Sequence, residues 1–159
     1  MPVKVGLWSF MEYFGFHRPG NPQKYPDEVA TIDKLSSENF FPKGYVDEIE
    51  RYIHLTKEEL PEARKEARKV ANILKNLQGK PDEEVTIYRG SPKGELNQGD
   101  WVTLSKEYAS LYAADGIYSG SADSKVYSFT SKAKELSFDG DSIFEFGYWG
   151  SPQKIENML

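Results

Sequence analysis

The abrupt change of texture at Gly79 constrains this chain more than any other feature. Before it, Leu60, Ala63, Ala67, Val70, Ala71, Leu74 and Leu77 recur on one face of a 3.6-residue repeat, and Arg, Lys and Glu cover the rest. The spacing predicts a helix over Pro61–Gln78, with Pro61 suited to a first turn, Gly79 as the stop and Pro81 beyond it. Thr56 with Glu59 also fits a capping box, so an earlier start is an alternative. The charge run on this helix reads as a solvated face laced by i,i+4 pairs. After Gly79, Val85-Thr86-Ile87-Tyr88 is β-branched and aromatic, the composition of a strand. A chain that switches period in this way is expected to be α+β.

The remaining segments fill in that outline. Residues 3–16 are aromatic, and Val3, Val5 and Leu7 alternate as a short strand or extended arm would. Residues 17–27 carry three prolines and a Pro-Gly step, which predicts a surface loop or a lid. Residues 36–44 read as a turn that packs Phe40 and Phe41, and Tyr45–His54 has helical spacing. Beyond the first strand, turns are predicted at Ser91–Gly94, Asn97–Asp100 and Asp139–Asp141. Strands are predicted at Trp101–Leu104, Val126–Thr130, Leu136–Phe138 and Ile143–Tyr148. Ser131–Glu135 reads as a turn or short helical segment and Gly116–Ser124 as a flexible loop. Ser105 has the chemistry of an N-cap for a helix over Lys106–Ala114. The expectation is one domain over residues 1–159: a helical and irregular part (1–81), a strand-rich core (82–150) and a tail (151–159).

Composition excludes several classes. Cysteine is absent, which removes disulfides, cysteine-ligated zinc and thiol catalysis and fits a reducing compartment. The two histidines, His17 and His54, stand in unrelated contexts, so no histidine-rich metal site is expected. No run approaches the ~20 apolar residues needed to cross a bilayer, and Met1–Val5 opens no signal peptide. A net charge of −5 with acids and bases interspersed predicts a soluble surface without the basic stripe of a nucleic-acid binder.

Two charged residues stand inside apolar, strand-like runs: Arg89, followed by Gly90, and Glu145, between Phe144 and Phe146. A strand-borne guanidinium can fork onto two phosphate oxygens while the glycine lets backbone approach the same ligand. It can equally partner a structural carboxylate. Thr103 and Ser105, two residues apart on a strand, would share a face and could orient a carboxylate or a ribose. Glu145 would face opposite to both phenylalanines, either to solvent or into a cleft where a carboxylate can stabilise positive charge on a sugar ring. Tyr88, Trp101, Tyr108 and Tyr148 are candidates to stack on a ring, or ordinary core. Arg18 and His17 could reach an anion from the loop. Asp139 and Asp141 read mainly as turn chemistry.

Taken together, Val85–Gly90, Gly99–Ser105 with Tyr108-Ala109, Asp139–Ser142 and Glu145–Tyr148 resemble small phage- and mobile-element-encoded proteins of the ADP-ribosyltransferase fold, in the Arg–Ser–Glu arrangement. The likeness covers about residues 82–150. It implies a split β-sheet core and NAD as co-substrate, with no metal. Arg89, Gly90, Tyr88, Thr103, Ser105 and Tyr108 would bind NAD, and Arg89, Ser105 and Glu145 would be the catalytic set. The transferred ADP-ribose would pass to an unidentified target, a host protein in the host cytoplasm. Two departures stand out. Ile143 occupies the place where arginine-modifying members carry Glu or Gln, and Leu104 replaces a hydrogen-bonding threonine. Arginine is therefore not the expected acceptor. The alternative implied by the same resemblance is a non-catalytic effector that docks on a host protein.

Overall fold

The computed structural model describes residues 18–36, 61–115, 125–138 and 143–155, the side chains of 61–63 and 111–115 aside. The arm at 3–16, His17, most of the 36–44 turn, the Tyr45–His54 helix, Thr56 and Glu59, the Gly116–Ser124 loop and the Asp139–Asp141 turn lie outside the described residues.

Helix α1 spans Pro61–Leu77, and the apolar stripe is what it buries. Ala67, Val70, Ala71, Leu74 and Leu77 are all sealed in the core. Fully burying a leucine or valine there contributes roughly 1.5–3 kcal/mol. The helix stops where the glycine permits a left-handed residue, Gly79 having φ +76°. Its end is tied to the segment before it. Gly79 N–H donates to Asp33 O at 2.9 Å, and Gln78 Nε2 donates to Ile32 O and Leu74 O, both at 2.8 Å.

Strands β1 (Ala30–Thr31), β2 (Glu84–Ser91), β3 (Glu95–Leu96), β4 (Asp100–Val102), β5 (Lys125–Lys132), β6 (Leu136–Phe138), β7 (Phe146–Tyr148) and β8 (Gln153–Lys154) are all antiparallel to their neighbours. Helix α2 covers Lys106–Asp115. The described strands form a four-stranded sheet in the order β1-β6-β7-β4 and the two pairs β2-β5 and β3-β8. The described residues are thus mixed α and β, with two α-helices and several small antiparallel sheets.

The β2-β5 ladder is the longest, running from Glu84 opposite Lys132 to Ser91 opposite Lys125. Alternation decides its faces: Ile87, Tyr127 and Phe129 are buried, while Thr86, Ser128 and Thr130 face out. A lone antiparallel bridge, Tyr88 to Thr103, joins this pair to the four-stranded sheet, through N–H···O bonds of 2.8 and 3.0 Å. The Asn97–Asp100 turn feeds β4. Asp100 N–H donates to Asn97 O, Asn97 N–H donates to Asp100 Oδ2, and Gly99 takes φ +88°.

Three expectations need correcting. Residues 153–154 are not tail but strand β8, which pairs with β3 and lets Ile155 N–H donate to Gly94 O at 2.7 Å. The N-terminal part contributes β1 to the sheet, with Ala30 opposite Phe138. The strand expected over Ile143–Tyr148 begins only at Phe146: Ile143 and Phe144 form a turn, and Glu145 links it to β7. The residues are apolar for burial rather than for pairing: Ile143 and Phe144 belong to the core cluster.

Candidate functional site

Ser105 determines the local geometry. Its Oγ accepts the N–H of Tyr108 at 3.1 Å, which satisfies one of the orphan donors at the start of α2. Its own N–H donates to Thr103 Oγ1 at 3.1 Å. The two hydroxyls therefore do not share the face of a strand, as expected from spacing alone. β4 ends at Val102, Thr103 makes the bridge, and Ser105 has already left the sheet to cap the helix. Capping wins because the backbone donors of a helix start need a partner, whereas a fourth strand residue would gain only one more rung.

The cap fixes Tyr108 on the first turn of α2, aimed at Glu145. Tyr108 Oη donates to Glu145 Oε1 at 2.7 Å. The Tyr108 ring stacks on Phe144, centroids 4.9 Å apart and planes within 8°. Glu145 itself is only 4% exposed. It does not face open solvent: Phe144, Glu145 and Phe146 are all buried. Among the described residues Tyr108 is the one hydrogen-bond donor to this carboxylate. A buried carboxylate normally has its lone pairs satisfied, so one with a single donor calls for an explanation.

Thr103 is fully buried. The β4-β7 ladder ends with Val102 opposite Phe146, and Thr103 and Glu145 are the residues next to that rung on either chain segment. Tyr88 meets Thr103 through the bridge. Tyr88, Thr103, Ser105, Tyr108 and Glu145 thus gather at one end of β4.

Arg89 occupies the other end. Its Nη1 donates to Trp101 O at 2.7 Å, and its Nε stands 3.9 Å from Asp100 Oδ2. The guanidinium supplies the donor that β2 no longer offers once the sheets diverge past the bridge. Its side chain is 22% exposed. Thr103 stands three residues beyond Asp100, about 10 Å at an extended-chain rise of ~3.3 Å per residue. Gly90 is buried in the β2-β5 ladder opposite Val126.

Tyr148 is core rather than a stacking platform. It is 1% exposed, and its hydroxyl donates to Ser151 O and accepts from Gln153 Nε2. Burial pushes its phenol pKa up. Trp101 is buried as well. Arg18 and Pro19 lie against the sheet: a Cβ on Gly147 would overlap Pro19 and Ser137, and one on Gly99 would stand 3.1 Å from Arg18 Nη1.

One polar residue of this cluster escaped the sequence reading. Ser105 Oγ donates to Glu66 Oε1 at 3.0 Å, and Lys69 Nζ holds Glu66 Oε2 at 2.8 Å. Bonding to Glu66 raises the Lys69 pKa. The charge pattern of α1 places Glu66 on its solvated face. The signal against that was available: it stands four residues before Val70 and eleven before Leu77, within the spacing of the apolar stripe. Among the described residues no cluster of three or more His, Asp and Glu side chains is placed to hold a metal ion, and no helix is long and apolar enough to cross a membrane.

No protein-family model, curated protein or solved structure matches this chain.

Proposed function

We propose that this chain is an NAD-dependent ADP-ribosyltransferase acting on a host macromolecule. The observation that carries the reading is Glu145, a carboxylate 4% exposed, held by one tyrosine hydroxyl at the end of the β4-β7 ladder. Support comes also from the order Arg89, Thr103 and Ser105, Glu145, and from two antiparallel sheets that meet at a single bridge.

In this reading Arg89 binds the pyrophosphate, exchanging its contacts with Trp101 O and Asp100 for phosphate oxygens. Glu145 then lies beside the nicotinamide ribose, where it accepts the 2′-hydroxyl and stabilises the positive charge that develops as the bond from C1′ to the nicotinamide nitrogen breaks. The electron pair of that bond leaves with neutral nicotinamide. A nucleophile on the acceptor forms the new bond to C1′ and gives up its proton. Tyr108 fixes the carboxylate while this happens, and such positioning is itself a large part of catalysis.

Incubation of the protein with NAD, with nicotinamide measured directly, tests the reading. Release above the uncatalysed background is expected, together with a rise in melting temperature in millimolar NAD.

A second reading has its own observation. The Arg89 guanidinium is already engaged by Trp101 O and Asp100, and the Ser105 hydroxyl by Glu66. A non-catalytic effector that docks on a host protein would keep these contacts. It would show no thermal shift with NAD, ADP-ribose or nicotinamide.

A further inference from the structure

Helix α1 lies outside residues 82–150, yet an unbroken set of contacts runs from it to Glu145. Lys69 Nζ meets Glu66 Oε2 at 2.8 Å. Glu66 Oε1 accepts the Ser105 hydroxyl at 3.0 Å. Ser105 Oγ accepts the Tyr108 N–H at 3.1 Å, and Tyr108 Oη donates to Glu145 Oε1 at 2.7 Å. We propose that Glu66 is a positioning residue for Glu145, acting through Ser105 and Tyr108. The proposal rests on the reading of Glu145 as the catalytic carboxylate.

The physical reason lies in what a serine hydroxyl can do. It has one donor and two acceptor lone pairs, and its rotor is otherwise free to turn. With its proton committed to Glu66, the oxygen keeps a lone pair directed at the Tyr108 amide. Ser105 is only 3% exposed, so no solvent shell competes for that proton. The orientation of the cap sets the first turn of α2, and that turn carries the phenol that holds Glu145. Glu66 is well placed to do this, because α1 is anchored in the core along its whole apolar stripe from Ala67 to Leu77. The rigid helix gives the small loop between β4 and α2 a fixed reference point. Glu66 meets Lys69 on its other oxygen, so its charge is balanced at the rim rather than left alone.

Glu66→Ala, Glu66→Gln and Glu66→Asp separate this role from a merely structural one. Gln can still accept the Ser105 proton; Asp keeps the charge but is one methylene too short. Nicotinamide release from NAD by Glu66→Ala and Glu66→Asp should show kcat lowered about tenfold to a hundredfold, the scale of a misplacement near 1 Å. KM for NAD should stay within about twofold, since neither variant touches the Arg89 end. Glu66→Gln should recover most of kcat. Amide hydrogen exchange should be measured in parallel, where the Tyr108 N–H is expected to exchange about fivefold faster in Glu66→Ala and Glu66→Asp than in wild type or Glu66→Gln. Wild-type kcat in Glu66→Ala or Glu66→Asp overturns the proposal, as does a Glu66→Gln variant as impaired as either. If the wild-type protein releases no nicotinamide, the functional reading fails separately. The exchange data then decide the coupling alone, and an unchanged Tyr108 amide in Glu66→Asp overturns it.

Discussion

Arg89 and Glu145 are the two charged side chains set into apolar runs, and the fold treats them differently. Arg89 stays 22% exposed and has partners on two sides, the carbonyl of Trp101 and the carboxylate of Asp100. Glu145 is almost completely enclosed and receives one donor among the described residues, Tyr108. The arginine closes the seam where β2 parts from β4, so it contributes to the architecture whether or not a ligand is present. The glutamate closes no seam. Burying a carboxylate costs free energy unless its oxygens are bonded, and with a single bond that cost is incompletely offset. The contrast marks Glu145 as the group whose presence folding explains least, and Arg89 as one that can serve structure and ligand in turn.

The sharpest way to break this contrast is to neutralise each residue in turn. Glu145→Gln should lower the rate of nicotinamide release about 10²–10³-fold, the usual loss of a transition-state stabiliser, with melting temperature and NAD affinity retained. Undiminished release would remove Glu145 from the chemistry. Arg89→Ala should act on binding, raising KM for NAD about tenfold to a hundredfold, as expected for loss of a charge-assisted bond. It should also lower stability, because Trp101 O loses its donor. A stable Arg89→Ala with wild-type KM would mean that the arginine serves neither role.

Tyr108→Phe sharpens the comparison at the glutamate alone. The ring can still stack on Phe144, but Glu145 loses its donor, so stability should fall by about 1–3 kcal/mol in denaturant unfolding. A neutral outcome would show that the carboxylate is less dependent on the phenol than its burial implies.

The Asp82–Lys134 pair supplies the smallest expected effect and a baseline. The contact is 2.9 Å long between exposed side chains. Hydrogen bonding to Lys134 holds the Asp82 pKa below its ordinary 3.8, and the same bond raises Lys134 above 10.5. The Asp82 contribution is therefore present above pH 3.8 and lost as pH falls through its lowered folded value. The Lys134 contribution is present below pH 10.5 and lost as pH rises through its raised folded value. Solvent screens such a pair. Asp82→Asn at neutral pH should therefore leave the melting temperature within the scatter of replicate scans, and a clear drop would show the pair to be more than a surface contact.

What the sequence made legible follows the range of the forces involved. Helix α1, strand β2, the Asn97–Asp100 turn and the Ser105 cap are local, each set by neighbours within a few residues, and all appear where periodicity and turn chemistry place them. The two-residue strands β1 and β8 are not local. Ala30 meets Phe138, and Lys154 meets Glu95, across long stretches of chain, and two residues carry no periodic signal. Thr103 and Ser105 do not share a strand face because two demands compete there, pairing and capping, and the cap prevails. Glu66 is hard to read for a different reason: a charged residue beside an apolar stripe looks the same as the charged face around it.

The most direct test of whether one dinucleotide spans both ends of β4 is hydrogen–deuterium exchange with and without saturating NAD. Backbone amides around Tyr88–Gly90 and around Phe144–Tyr148 should both gain protection, in parallel and at the same ligand concentration. Protection confined to one of the two segments, or absent from both, would contradict a shared site for Arg89 and Glu145.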